Sequence, residues 1–572
     1  MMTTNRMHSL LPARPPSPST TAASARACAY RCLVLVLLAC HLHHHGASTQ
    51  PLPPPPPVGE AELLLQIKRA WGDPPALAAW NSTSTAGGSH CRWPHVGCDS
   101  AGHVTSLTLV GINVNGPVPD AVGGLSGLTH LDVSHNSIIS FPKTLPRSLQ
   151  YLDLSWNYIM GSIPEAVGNL SSLTHLDILH NSITGLFPTV LYRCRSLQYL
   201  RMSWNDIGGE LPDDIGRGLG VNLSTLNLQF NKFNGTIPAS LSKLQNLRYL
   251  ILDDNHLTGT IPMELGELTS LEVLSISFNP FNIGMLPVSF KNLTNLVSLE
   301  AGRCNLFGSF PSCIAKMSKL ENLGLYGNSL TGSIHPGVWG LKKLQQLDVS
   351  MNNLTGDMVV GSFVAMNLTI IDVSDNNFTG VIPEVFGRLE NLTELRLSNN
   401  RFTGTFPPDI GKHSPGLQSI EADDNELTGA IPEALCTAGQ LQHFFISGNR
   451  LNGPIPAILT KCDTLQELDL SSNQLSGEVP KATWTMGQLA WVSLRNNLLT
   501  GSLPSTMSNS LTYLDIGSNQ FTGRIPSVAV RLIYFIADNN WFSGEIPADV
   551  DSGMPLLRQL NLANNNLSGR IP

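Results

Sequence analysis

From about residue 104, the pattern LxxLxLxxNxLxGxIP returns about every 24 residues, and no other feature so narrows what this chain can become. One clear copy runs Leu465, Leu468, Leu470, Asn473, Leu475, Gly477, Val479, Pro480. The Asn position recurs from Ile112 and Asn136 through Cys304 to Asn565, giving twenty copies spaced by 21 to 26 residues. The LxL alternation predicts a short strand with its leucines inward and its intervening residues outward. The Asn falls where the chain turns, and its amide can satisfy backbone groups of neighbouring coils. In GxIP, Gly permits the bend and Pro stiffens it. One copy cannot bury its own leucines, so stacking must supply the core and each coil must add one strand to a parallel sheet. A chain of 572 residues then need not split into several compact domains.

The segments before the repeats read differently. Residues 1–48 form a leader: Arg26 and Arg31 precede the apolar run Cys32–Cys40, and small residues follow at Gly46-Ala47-Ser48. That order fits a secretory signal, and the Ser/Thr/Pro-rich start also fits a plastid transit peptide. Residues 49–58 are a Pro-rich spacer, expected to be extended. Residues 59–103 form a cap, with a helical stretch at Glu60–Lys68 followed by Trp80, Cys91, Trp93 and Cys98. In an exported chain, Cys91 and Cys98 pair as a disulfide closing that cap. His90, His95 and His103 nearby are read as ordinary surface residues rather than zinc ligands. The net charge of −8 argues against a nucleic-acid partner, and the repeats hold no run of membrane-span length.

The cap, the LxGxIP copies and the Asn ladder together resemble the plant leucine-rich-repeat receptor family, over about residues 58–572. The runs Val381–Leu392 and Ala434–Leu441 resemble the HAESA-like, peptide-perceiving receptor kinases in particular. The resemblance implies an α/β solenoid: a right-handed leucine-rich-repeat superhelix with a parallel β-sheet on its concave face and a helical, disulfide-bonded cap. It also implies a small secreted peptide as ligand and a leucine-rich-repeat co-receptor kinase ectodomain docking near the C-terminal repeats. Residues 104–572 end at Ile571-Pro572, within the twentieth copy. Neither a membrane helix nor kinase motifs occur, so a truncated receptor is expected, reaching the membrane only through a missing C-terminal segment or a partner. No cofactor, metal or catalytic motif is read, and the chain is not expected to be an enzyme. The alternatives are a soluble wall-associated binder, like plant polygalacturonase-inhibiting proteins, and a decoy receptor; the location is the plasma membrane's outer face or the apoplast.

Several residues are candidates for that role. Ten Asn-x-Ser/Thr sequons stand at Asn81, Asn169, Asn222, Asn234, Asn292, Asn353, Asn367, Asn377, Asn391 and Asn566. The outward position inside LxL holds Asp132, Asp153, Asp177, Glu300, Asp348, Asp372, Glu421, Asp469 and Asp515, against Arg201 and Arg396. This acidic stripe is either a structural habit of the LDLS form or an attractor for a basic peptide. Tyr151, Tyr199 and Tyr249 precede an inward leucine, and Trp156, Trp204, Phe230 and Phe278 precede the ladder Asn. Such rings either stack between coils or anchor a ligand. Trp491, Tyr513 and Tyr534 form a second group nearer the C-terminus. The resemblance implies an Arg-x-Arg pair gripping a peptide carboxylate. The matching positions here are Glu467 and Asp469, and Arg396 in Glu394-Leu395-Arg396 supplies half of the motif. Among the other cysteines, Cys194 and Cys462 are structural, Cys304 replaces a ladder Asn and is a possible partner of Cys313, and Cys436 is unassigned.

Overall fold

A computed structural model describes residues 59–81, 89–358, 362–437 and 440–572. The leader 1–48 and the spacer 49–58 lie outside the described residues. Each coil contributes a three-residue strand such as His130–Asp132, Tyr151–Asp153 or Glu467–Asp469. Coil by coil these strands pair in parallel, without register shifts, from Val104–Thr108 to Gln559–Asn561. With Val96–Cys98, which joins antiparallel at the cap end, they make a 21-stranded sheet. The cause is the alternation: leucines such as Leu131, Leu152, Leu176 and Leu200 are fully buried while their strand neighbours face out. The final coil's Leu560 is 37% exposed.

The ladder asparagines carry the turn. Asn157 Nδ2 donates to the carbonyls of Leu154, Ser155 and, one coil back, Val133, at 3.0–3.1 Å. Its Oδ1 accepts the Ile138 N–H at 2.9 Å. One buried side chain thus satisfies four backbone groups on two coils, which fixes the coil spacing. The segment after each Asn does more than bend. It adds short parallel strands in separate smaller sheets, such as the five-stranded one from Met160–Gly161 to His256–Thr258. The return past Pro is in most coils a single 3₁₀ turn, Glu165–Asn169 for example, because a 24-residue coil leaves about five residues for it.

The cap seals the first coil. Leu63, Leu64 and Ile67 of the helix Glu60–Ala70 are buried. Trp80 stacks on Trp93 at 5.8 Å and donates through Nε1 to the Pro94 carbonyl. Glu60 Oε2 accepts the Val104 N–H, occupying an edge donor of the sheet. Cys91 and Cys98 are disulfide-bonded with Cα atoms 5.6 Å apart. Cys304 and Cys313 are not bridged, contrary to the sequence expectation: both are free and buried. Cys304 Sγ instead donates to the Ile276 carbonyl at 3.2 Å, as a ladder amide would, while the strand Phe307–Ser309 carries the chain away before Cys313. The second bridge joins Cys436 to Cys462 across neighbouring coils.

Candidate functional site: the outward face of the long sheet

Columns of side chains run down this face, and one is largely spent on structure. Oδ1 of Asp132, Asp153, Asp177, Asp348, Asp372, Asp469 and Asp515 each accepts the N–H two residues on, at 2.8–3.1 Å. A carboxylate or amide of that length caps the strand end, which explains its recurrence without any ligand. Glu300 and Glu421 are longer and do not cap in this way. The Glu300 carboxylate lies over Gly324, where a Cβ would stand 1.8 Å from Oε2. The Tyr326 ring lies over Gly302 in the same way, where a Cβ would meet it at 2.4 Å.

Burial reduces the charge of this face, both in the stripe and at Asp253 and Asp423 beside it. It pushes the Asp177, Asp253 and Asp423 carboxyls up to about 6, and Glu300 up to about 8 with help from Asp253 and Asp348. Asp372 is raised for the same first reason. Arg396 is already neutralised by Glu394 at 2.6 Å, Glu421 at 3.2 Å and Asp372 at 3.7 Å. Glu467 lies 3.2 Å from His443 Nδ1, and that hydrogen bond lowers its pKa while raising that of the imidazole. Glu467 and Asp469 flank Leu468 on one strand, so two acids stand two residues apart on this face. Arg495, the other late guanidinium on this face, is held by Asp515 and Asp538.

The rings form two continuous columns in coils two to six. At the first outward strand position, His130, Tyr151, His175 and Tyr199 stack in order, with centroids 4.1, 4.2 and 4.1 Å apart. Before the ladder Asn, His135, Trp156, His180, Trp204 and Phe230 follow at 5.5, 4.0, 6.1 and 3.9 Å. All five take a left-handed backbone, φ 50–56°, which turns their side chains outward. Trp156 and Trp204 remain 41% and 45% exposed. The four histidines escaped the sequence reading. Taking the residue at the same register position in every coil, not only the aromatic ones, would have found them.

Tyr249 stands apart, separated from Tyr199 by Thr225, and its hydroxyl donates to Glu272. Phe278 meets Arg303 at 5.8 Å and Tyr326 at 5.9 Å. Trp491, Tyr513 and Tyr534 form a third stack at 5.0 and 5.9 Å, and Phe445 meets Trp491 edge-on. Nine sequon asparagines are exposed, and Asn377 is half-buried with its Nδ2 on Asn353 Oδ1 at 2.7 Å. At the cap, His90 lies beside Cys91 and Cys98, but their sulfurs are bonded to each other and offer no thiolate to a metal.

Comparison with known proteins places these features. Residues 59–99 match the "Leucine rich repeat N-terminal domain" and residues 221–366 the "Leucine-rich repeat region". "Leucine rich repeat" models match 147–207, 366–427, 440–462, 464–486, 510–529 and 556–572. The chain is similar to MDIS1-interacting receptor like kinase 1 of Arabidopsis thaliana, 36% identical over 102 residues, 18% of this chain and 10% of that protein. It is also similar to polygalacturonase inhibitor 1 of Oryza sativa subsp. japonica, 35% identical over 101 residues, 17% of this chain and 30% of that one. These alignments thus span under a third of either curated relative. The crystal structure of the Arabidopsis receptor kinase HAESA, in complex with the peptide hormone IDA and the co-receptor SERK1, superposes with a TM-score of 0.76. There the identity is 32%, covering 90% of this chain and 83% of that one.

Proposed function

Since this chain belongs to the plant leucine-rich-repeat family that includes receptor-kinase ectodomains, we propose that it is an extracellular recognition module binding an extended peptide along the outward face of the long sheet. The observation that carries this reading is the pair of ring stacks on one face, a half-buried one from His130 to Tyr199 beside an exposed one from His135 to Trp204, with a further stack at Trp491–Tyr513–Tyr534. Exposed tryptophan and tyrosine give large contact area at small entropic cost, and they are the usual anchors of an interface. Residues 1–48 act as the secretory leader, the sequons carry glycans, and a co-receptor ectodomain docks near the C-terminal stack. The paired state of Arg396 and the acids at Glu467 and Asp469 favour a ligand that is not gripped by a terminal carboxylate.

The test is capture from plant extracellular fluid by the secreted chain, with bound peptides identified by mass spectrometry. Wild type is expected to enrich a discrete peptide set, and W204A/W491A to lose it by about tenfold or more. Equal recovery by both proteins sinks the reading. Similarity to a polygalacturonase inhibitor supports a second possibility, a soluble wall-associated inhibitor. Inhibition of a purified polygalacturonase, with no peptide enriched, is its signature.

A further inference from the structure

The two ring columns of coils two to five are not simply aromatic: each alternates imidazole with a larger ring, His130–Tyr151–His175–Tyr199 and His135–Trp156–His180–Trp204. Between them in sequence run the half-buried carboxylates Asp132 and Asp153, then the buried Asp177, ending at Arg201. The face is thus a strip with an acidic middle and two walls of imidazoles and aromatic rings. We propose that this strip is a proton-gated docking surface that holds a basic stretch of an extended peptide near neutral pH and releases it on acidification.

Charge complementarity selects the occupant. Asp177 pairs with Arg201 at 3.5 Å, which leaves Asp132 and Asp153 to carry the net charge of the strip. Lysine or arginine side chains are then attracted by the acids, and arginine also stacks on tryptophan. Imidazole is the side chain whose ordinary range lies between pH 5 and 8. Protons taken up by imidazole on acidification add positive charge beside the acids of the strip. Two shifts act on this switch. Burial raises Asp177 to about 6, so this acid loses its charge in the same interval. Burial also lowers His175, against Asp153 and Asp132 and together with His130 and Arg201, so it charges at lower pH than an ordinary histidine. The adjoining strands Val104–Thr108 and Thr225–Asn227 bring no charged side chain to this face. Asp206, past the turn, is taken by Lys232 at 2.6 Å.

The inference rests on the peptide-recognition reading, and its test is separable from it. The secreted full chain is titrated with a fluorescein-labelled eight-residue Lys/Ala probe and with its Glu/Ala counterpart, by polarisation at constant ionic strength. The lysine probe is expected to bind at pH 7.5 and to weaken by about tenfold at pH 5.0. H130Q/H135Q/H175Q/H180Q removes the titratable rings and is expected to lose most of the pH dependence, read as the ratio of its affinities at pH 7.5 and pH 5.0. D132N/D153N retains the oxygens that accept the Ser134 and Ser155 N–H groups and is expected to weaken binding at pH 7.5. H443Q, remote from the strip, leaves the profile unchanged. A lysine probe that binds no better than the glutamate probe at pH 7.5 overturns the charge assignment. A quadruple variant that keeps the full pH dependence overturns the gate. Neither result touches peptide capture that depends on Trp204 and Trp491.

Discussion

At the scale of the residue, the ladder asparagine carries the largest individual burden. Asn376 donates to Val349, Val373 and Ser374 carbonyls at 3.0–3.1 Å and accepts the Leu354 N–H at 2.9 Å. Removing it strands buried backbone groups on two coils, each a cost of about 1–3 kcal/mol. N376A is therefore expected to destabilise by at least about 3 kcal/mol, read as a lowered urea midpoint. The outward aspartates bear a lighter load: Asp348 Oδ1 accepts the Ser350 N–H at 3.0 Å and the Ser350 hydroxyl at 2.6 Å. Asp348→Asn, which preserves the acceptor, is expected to stay within about 0.5 kcal/mol of wild type in the same assay, and Asp348→Ala to lose about 1 kcal/mol.

At the scale of the element, Cys304 shows what one ladder substitution does. A thiol can replace the donors of the amide, and Cys304 does so toward Ile276 and Gly302. It offers no carbonyl to the coil before it. There the Phe281 N–H turns back to the Asn279 carbonyl at 2.9 Å, and the smaller sheet stops at His256–Thr258, resuming at Phe307–Ser309. Only the bridge Gly284↔Leu306 crosses part of that gap. Cys304→Asn is expected to melt at or above wild type, since it supplies the missing acceptor, whereas Cys304→Ala loses about 1–2 kcal/mol. Circular-dichroism melts of the two variants check the order.

At the scale of the whole molecule, the raised carboxyls make stability depend on pH with a definite sign. Asp177, Asp253 and Asp423 near 6 and Glu300 near 8 bind protons more tightly folded than unfolded. Between about pH 4 and 8 the native state therefore holds more protons, and stability falls as pH rises. His443, raised by Glu467, acts in the same direction, while His175 and Glu467, both lowered, oppose it. The melting temperature is expected to be higher at pH 5.5 than at pH 8 by about 3 °C or more. A flat or inverted profile by scanning calorimetry contradicts the burial of these acids. The favoured range is then mildly acidic, and the one acid that this trend shares with the basic-peptide strip is Asp177.

What the amino-acid order determined alone is everything with a period: the inward leucines, the outward stripe, the turn asparagines, the single parallel sheet, and the cap with its Cys91–Cys98 bridge. Those features arise within one coil or by adding identical coils, so a one-dimensional pattern suffices. Contacts between unlike residues about 24 positions apart needed the stacked structure. The imidazoles interleaved with Tyr151 and Trp156, the three acids around Arg396, and the Cys436–Cys462 bridge in place of Cys304–Cys313 are all of that kind. The physical reason is that coil stacking sets which side chains meet at 4 Å, and burial between coils then sets how much charge each one keeps.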